Sequence, residues 1–265
     1  MGRTLVGLIL VLAFSAGLGT LGWYFAKERV RSQQQYRLSA DKITVTPPPD
    51  WVSDKFVEEV LVSSGLSRTG SLLDKTLPQK LTEAFIAYPW VERVEQVVPR
   101  YPSGADVKLL YRVPAALVEV PKQGIFPVDR NGVLLPPEYL THTVSDQRNN
   151  HLIIQGIQST PLGSVGTPWG DPLVQTAAQL AAELSDVAEP LKLTKIIPAI
   201  EATPGGAKIV CRLKTSAGTE LRWGTFASDD PKTEVKKKNL WNLHEQFRSL
   251  DSVPPNFHPI DLSKE

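Results

Sequence analysis

The sequence predicts an α+β protein in which a single N-terminal transmembrane helix precedes two folded domains. The run Thr4–Phe25 contains no charged residue. After it, short alternating segments typical of strands are mixed with amphipathic segments typical of helices. The chain has 265 residues, which is room for one large domain or two small ones, and its apolar fraction of 42% is enough for packed cores.

The run Thr4–Phe25 is long enough to cross a membrane. As a helix, about 22 residues extend about 33 Å, and a bilayer core is about 30 Å thick. Trp23 and Tyr24 stand at its far end, where amphipathic aromatic side chains favour the interface. The alternative is a cleaved signal peptide, because Phe14–Gly17 resembles a cleavage site. The apolar run nevertheless exceeds the roughly 7–15 residues of a signal-peptide core.

The segments that flank this helix are short. Residues 1–3 form a cytoplasmic tail, and residues 26–41 form a charged, glutamine-rich stalk. The positive residues after the helix, Lys27, Arg29 and Arg31, favour a cytoplasmic C-terminal part by the positive-inside rule. The opposite orientation, with the folded domains outside, therefore depends on a family resemblance of those domains.

Residues 42–118 predict a small α+β domain. A strand pattern at Lys42–Thr46 precedes two helical patterns. The first helix ends near Gly65, and the second ends at Tyr88 because Pro89 disfavours a helical conformation before it. Two runs with strand character follow, Val91–Val98 and Ala105–Arg112. The predicted order is strand, helix, helix, strand, strand, with two helices on one face of a sheet.

Residues 119–265 predict a larger domain with an antiparallel sheet and flanking helices. Asp129–Gly132 is a turn signal between two strand patterns. A helix starts at Asp171-Pro172, three strand patterns of a meander follow, and a last helix starts near Pro231. The segment Gln158–Trp169 is rich in Gly, Ser and Pro, which predicts a long loop.

Several short motifs follow one another in order between Lys42 and Leu262. The residues that carry them are Pro89, Trp90, Val91, Pro102, Arg112, Pro114, Asp129, Gly132, Gly156 and Gly224, followed at the end by Ile260, Asp261 and Leu262. In order and spacing they resemble the signature of the FtsQ/DivIB family of bacterial cell-division proteins. Ser263-Lys264 stands where that family has an arginine and a tyrosine.

The resemblance implies a POTRA domain beside the membrane, residues 42–118, and a β domain beyond it, residues 119–265. It implies a non-enzymatic, single-pass scaffold of the inner membrane, with its domains outside the cytoplasm. Such a scaffold links division proteins, such as the FtsB/FtsL pair, at the septum. The family's last strand contacts the FtsB-like partner, so Ile260, Asp261 and Leu262 are the predicted partner-binding residues.

Binding by strand addition requires no catalytic residue, because a sheet edge offers unpaired N–H and C=O groups to an incoming strand. The sequence predicts two such edges. One is the proline-limited run Tyr111–Val120, and the other is the strand at Ile260–Leu262.

The sequence carries no signature of a catalytic, cofactor or metal site. The single Cys211 excludes an internal disulfide and a cysteine-rich metal site, and the four histidines lack metal-binding spacing. Gly163–Gly166 has no lysine after it, so a flexible loop is expected rather than a phosphate site. Lys236–Lys238 predicts a solvated helix face, with contact to phospholipid or acidic glycan as the alternative. We expect no enzyme activity, cofactor or small-molecule substrate. Lys plus Arg number 29 against 28 Asp plus Glu, and this balance of charge gives no reason to expect nucleic acid as a partner.

Two other functions remain open. A POTRA-containing secretion or envelope-assembly factor would also bind by strand addition, although such proteins usually carry repeated POTRA units or a membrane barrel. A membrane-anchored envelope hydrolase would require a clustered catalytic set.

Overall fold

The computed structural model describes residues 36–142, 151–203, 206–228, 230–252 and 260–262. The fold is α+β, as predicted, and the chain divides into two compact units, Met1–Leu110 and Tyr111–Glu265. The predicted transmembrane helix Thr4–Phe25 lies outside the described residues. Within the described ranges, none of the helices has both the length and the apolar character needed to cross a bilayer.

Within its described residues, the first unit contains a three-stranded sheet and three α-helices. In chain order the elements are β1 (Ile43–Val45), α1 (Phe56–Ser63), α2 (Leu66–Thr69), α3 (Leu77–Ile86), β2 (Val91–Arg100) and β3 (Gly104–Tyr111). The sheet order is β1-β3-β2, with β1 parallel to β3. This is the predicted order of strands and helices, with the four-residue α2 added between the two longer helices.

The helices α1 and α3 pack through aromatic and aliphatic side chains at helical spacing. On α3, Leu77, Leu81 and Phe85 recur every four residues and are fully buried. The ring of Phe56 on α1 meets that of Phe85 edge to face, with the centroids 6.2 Å apart. The core of this unit therefore lies on the inner faces of α1 and α3, and their outer faces stay at the surface.

The second unit is built on a seven-stranded sheet. Its elements are β4 (Pro114–Val120), β5 (Gly124–Asp129), α4 (Tyr139–His142), β6 (Leu152–Ile154), α5 (Pro172–Glu183), β7 (Leu193–Thr203), β8 (Gly206–Thr215), β9 (Glu220–Thr225), α6 (Lys232–Phe247) and β10 (Ile260–Asp261). The sheet order is β10-β9-β8-β7-β6-β4-β5.

This sheet is mixed, so the predicted antiparallel sheet is wrong in part. The neighbours β7–β8, β8–β9 and β4–β5 are antiparallel, whereas β4–β6, β6–β7 and β9–β10 are parallel. A parallel neighbour needs a long crossover connection, usually helical. Helix α5 supplies that connection between β6 and β7, and α6 supplies it between β9 and β10.

The two units divide between Leu110 and Tyr111 rather than between residues 118 and 119. The reason is the pairing of β4, which was assigned from the sequence to the first domain. Val118 of β4 faces Phe126 of β5 and Ile154 of β6 in the register of the larger sheet.

The core of the second unit lies between this sheet and α5. Pro172 begins the helix, and the side chain of Asp171 caps it by accepting the backbone N–H of Leu173 at 2.8 Å. The buried side chains of α5 pack against those of the strands: Val174, Ala177, Ala178, Leu180 and Ala181 with Ile154, Ile196, Leu213 and Trp223.

The segment Gly163–Gly166 is a loop, as predicted, and the backbone N–H of Gly166 donates to the carbonyl of Leu134 at 2.8 Å. The predicted solvated face Lys236–Lys238 is wrong at its first residue, because distant groups contact it, whereas Lys238 is exposed. Lys236 is buried instead of solvated. Its ammonium group donates to the carbonyl of Thr225 at 2.9 Å and lies 5.2 Å from the centre of the Trp223 ring.

Candidate partner-binding edge

Strand β10 forms one edge of the seven-stranded sheet. It runs parallel to β9, with Ile260 opposite Leu221 and Asp261 opposite Arg222. The backbone N–H of Leu262 donates to the carbonyl of Arg222 at 2.9 Å. Three predicted partner-binding residues, Ile260 to Leu262, therefore stand at a sheet edge.

The register fixes which backbone groups of β10 point outward. In a strand, successive residues direct their N–H and C=O groups to opposite neighbours. The backbone N–H of Leu262 points to β9, so the backbone groups of Ile260, two residues earlier, also point to β9. The backbone groups of Asp261, which lies between them, point away from β9. In the part of the chain that the structure describes, no strand lies on this outer side of β10. Asp261 thus presents one N–H and one C=O for an added strand.

The side chain of Leu262 anchors this edge in the core of the second unit. Its side chain is only 3% exposed and belongs to the buried cluster of the second unit. Burying a leucine side chain contributes roughly 1.5–3 kcal/mol. The short strand β10 is therefore held at its end by the buried side chain of Leu262 and along its length by its pairing with β9.

The opposite edge of the same sheet is covered. The outer side of β5 pairs with the next segment, since Val128 bridges Leu134 and the N–H of Leu135 donates to the carbonyl of Pro127 at 2.9 Å. Val133 in turn bridges Pro168. Covering by a second segment and the lack of an N–H at Pro127 both protect an edge from strand addition. Of the two ends of this sheet, β10 is the one left open along the described strand.

The other predicted edge is wrong. Tyr111–Val120 contains β4, which lies inside the sheet between β6 and β5. Pro114 is the first residue of β4, a position where a missing N–H is tolerated. The proline therefore does not mark an edge strand.

The hairpin motif is held by a buried ion pair. Arg112 Nη1 lies 2.7 Å from Asp129 Oδ2, and the Asp129 side chain is 2% exposed. The second oxygen, Oδ1, accepts the backbone N–H groups of Asn131 at 2.8 Å and Val133 at 2.9 Å. Gly132 has φ +70°, and a Cβ there would lie 3.1 Å from Gln175 Cα, so this turn needs glycine.

The remaining motif residues are dispersed and shape the fold. Trp90 and Val91 are buried where β2 begins, directly after Pro89. Gly224 has φ +79° beside the irregularity between β8 and β9. Gly156 follows β6, and Pro102 follows a cis peptide bond in the turn between β2 and β3. These residues do not converge on one site, in contrast to Arg112, Pro114, Asp129 and Gly132, which meet at one hairpin.

Among the described residues, the thiol of Cys211 is buried and the potential metal ligands are scattered. Burial raises the pKa of the Cys211 thiol to about 12, so at neutral pH it is a buried thiol and not a thiolate nucleophile. Among the residues that the structure describes, no three His, Cys, Asp or Glu side chains come together as metal ligands.

A partly buried histidine predicts a loss of stability in acid. Tyr139 Oη and His151 Nε2 are 2.6 Å apart, and burial lowers the pKa of His151 below its ordinary 6.5. As the pH falls, the unfolded chain therefore binds a proton on this histidine at a higher pH than the folded chain does. The stability that the neutral histidine contributes is complete above pH 6.5 and is lost as the pH falls through the folded-state pKa.

We expect the wild-type free energy of unfolding to fall more steeply below pH 6.5 than that of His151→Gln, which keeps a polar side chain but does not titrate. The difference is at most about 1.4 kcal/mol per pH unit for one proton. Urea unfolding at several pH values measures it. Equal slopes for the two proteins would contradict the assignment.

No model of a known protein family matches this chain, and a search of curated proteins finds no match. The FtsQ/DivIB assignment therefore stays a prediction from the sequence motifs.

Proposed function

We propose that this protein is a non-enzymatic scaffold of bacterial cell division that binds a partner by adding a strand to β10. The observation that carries the proposal is the open edge at Ile260–Leu262. One side of β10 is bonded to β9, and the backbone groups of Asp261 face outward. Main-chain pairing of this kind gives affinity without any catalytic group.

The architecture supports the same function. The first unit has the strand, helix, helix, strand, strand order that the family resemblance implies for a POTRA domain, and a larger sheet follows it. The apolar run Thr4–Phe25 would hold both units at the outer face of the inner membrane. The partner is then an extracytoplasmic segment of an FtsB/FtsL-like division protein at the septum.

A proline at position 261 tests the edge directly. Because the N–H of Asp261 faces away from β9, Asp261→Pro removes the donor that an added strand needs and keeps the bonds to β9. Asp261→Ala changes the same side chain but retains the donor. We expect Asp261→Pro to abolish co-purification of the FtsB-like protein and its recruitment to mid-cell, and Asp261→Ala to leave both intact.

Two results would count against the proposal. Partner recruitment by Asp261→Pro at the wild-type level, or after deletion of residues 259–265, would exclude β10 as the binding edge. A fluorescent fusion spread evenly over the envelope of dividing cells would exclude the septal role itself. Circular dichroism of each purified variant confirms that its fold is retained.

One observation favours the envelope-assembly alternative. Strand β2 is ten residues long and ends the three-stranded sheet, and no described strand pairs with its outer side. A long open edge on a POTRA-like unit also suits strand addition. Mid-cell localisation of the fusion separates a division scaffold from an assembly factor that acts throughout the envelope.

A further inference from the structure

A groove runs between α1 and α3 on the outer surface of the first unit. It consists of two depressions of about 320 and 420 Å³ that share Ala84 and Ala87 of α3 as lining residues. Ser63 of α1 lines the first depression, and Ser64 lines the second. The floor includes half-buried Ala84 beside the buried side chains of Val60 and Leu66, and a small side chain such as alanine permits the close approach of another backbone.

The lining of this groove combines apolar side chains with two carboxylates. Glu59 lines the first depression, and Glu83 lines the second. Beside them the lining includes the apolar residues Val60, Leu66 and Pro89, together with Ala84 and Ala87. Val62 of α1 and Ile86 of α3 are 62% and 52% exposed and lie one helical turn from these glutamates, outside the lining. An apolar concave surface that carries carboxylates suits a ligand with both apolar and basic groups.

The groove is acidic. Glu59 accepts hydrogen bonds from the hydroxyls of Tyr88 and Ser53, both at 3.2 Å, and Glu83 accepts one from the Gln79 amide at 3.0 Å. In the described ranges, no lysine or arginine forms an ion pair with either glutamate. The lysine among the lining residues, Lys80, is held by Asp74 at 2.8 Å. The carboxylates thus remain available to positive charges of a ligand.

The backbone hydrogen bonding of α1 and α3 indicates whether a strand or a helix can occupy the groove. The backbone groups of α1 and α3 are bonded within their own helices, so an extended peptide would find no ladder there. A helix satisfies its own backbone and needs only a side-chain match. We propose that this groove binds an amphipathic helix of a partner protein, whose apolar stripe is flanked by Lys or Arg. This binding is separate from strand addition at β10 and does not depend on it.

The test uses the full chain in nanodiscs of neutral phosphatidylcholine, with empty nanodiscs as the blank. The probes are two dye-labelled helical peptides with the same leucine and alanine stripe, one flanked by lysine and the other by glutamate. Fluorescence anisotropy measures their affinities. We expect the lysine-flanked probe to bind at least about tenfold more tightly, since two ion pairs become two repulsions in the other probe.

Substitutions in the groove should change these affinities in opposite ways. Ala84→Trp fills the floor and should weaken the lysine-flanked probe at least about tenfold, by steric exclusion. Ala87→Arg, at an exposed position, should do the same without strain on the core. The double variant Glu59→Lys/Glu83→Lys should reverse the preference in favour of the glutamate-flanked probe.

The matched control is Glu138→Lys/Glu189→Lys, which makes the same charge change at exposed positions of the second unit and should leave the affinities unchanged. Asp261→Pro should also leave them unchanged, which separates this site from the β10 edge. Equal binding of the two probes, or an unchanged affinity in a folded Ala84→Trp or Ala87→Arg variant, would overturn the proposal.

Discussion

Replacing Asp129 by alanine should destabilise the second unit by about 3–5 kcal/mol, the range found when one partner of a buried ion pair is removed. The substitution leaves the guanidinium of Arg112, whose side chain is only 15% exposed, without its carboxylate. It also leaves the N–H groups of Asn131 and Val133 without the side-chain acceptor that they share. The free energy of unfolding in urea, followed by circular dichroism, measures the loss.

The partner substitution should cost less. Arg112→Met removes the cation but leaves Asp129 Oδ1 with its two backbone donors, and it removes a buried Nε that has no acceptor among the described residues. Glu95→Ala, at the exposed pair with Arg93, is the control and should change stability by no more than about 0.5 kcal/mol. A cost for Asp129→Ala as small as that of the control would contradict a structural role for the pair.

Replacing Leu262 by alanine should release β10 as well as lower stability. Truncation of a buried leucine costs about 2–5 kcal/mol, and Leu262 is the described residue of the terminal strand whose side chain enters the core. The two-residue β10 that remains pairs with β9 over two positions, Ile260 with Leu221 and Asp261 with Arg222. We therefore expect the loss of partner recruitment to exceed what the loss of global stability explains.

Leu162→Ala is the matched control, because Leu162 is 82% exposed and the same atoms are removed. Hydrogen exchange at the Leu262 amide, which donates to the Arg222 carbonyl, reports directly on β10. Fast exchange of that amide in Leu262→Ala, in a protein that is otherwise folded, is the expected result. Unchanged protection would show that β10 does not depend on the leucine.

Local features of the fold could be predicted from the sequence. The turn at Asp129–Gly132 and the start of α5 at Asp171-Pro172 are set by residues within a few positions of each other. The parallel pairings could not be predicted in this way, since they depend on which strands meet after α5 and α6 have crossed the sheet. Hydrophobic periodicity carries no information on strand direction.

Long-range contacts also explain the errors at particular residues. Lys236 stands in a run of lysines, which predicts a surface residue. In the structure its side chain lies over the Trp223 ring and donates to the carbonyl of Thr225. Pro114 suggests an edge strand, although its position at the start of β4 lets that strand lie inside the sheet. At the candidate site, the strand Ile260–Asp261 was predictable from the motif that resembles the FtsQ/DivIB signature. The role of Arg222 as its backbone partner was not, because nothing local links residues 222 and 262.

The parallel pairing of β10 with β9 has a consequence for the order of events in the cell. The two strands are joined through α6, whose Leu240 belongs to the core. The edge at Asp261 therefore forms only after β9 has joined the sheet, because β9 supplies the backbone groups that pair with β10. A chain whose second unit is unfolded has no such edge. Recruitment through β10 would thus select molecules in which the second unit is folded.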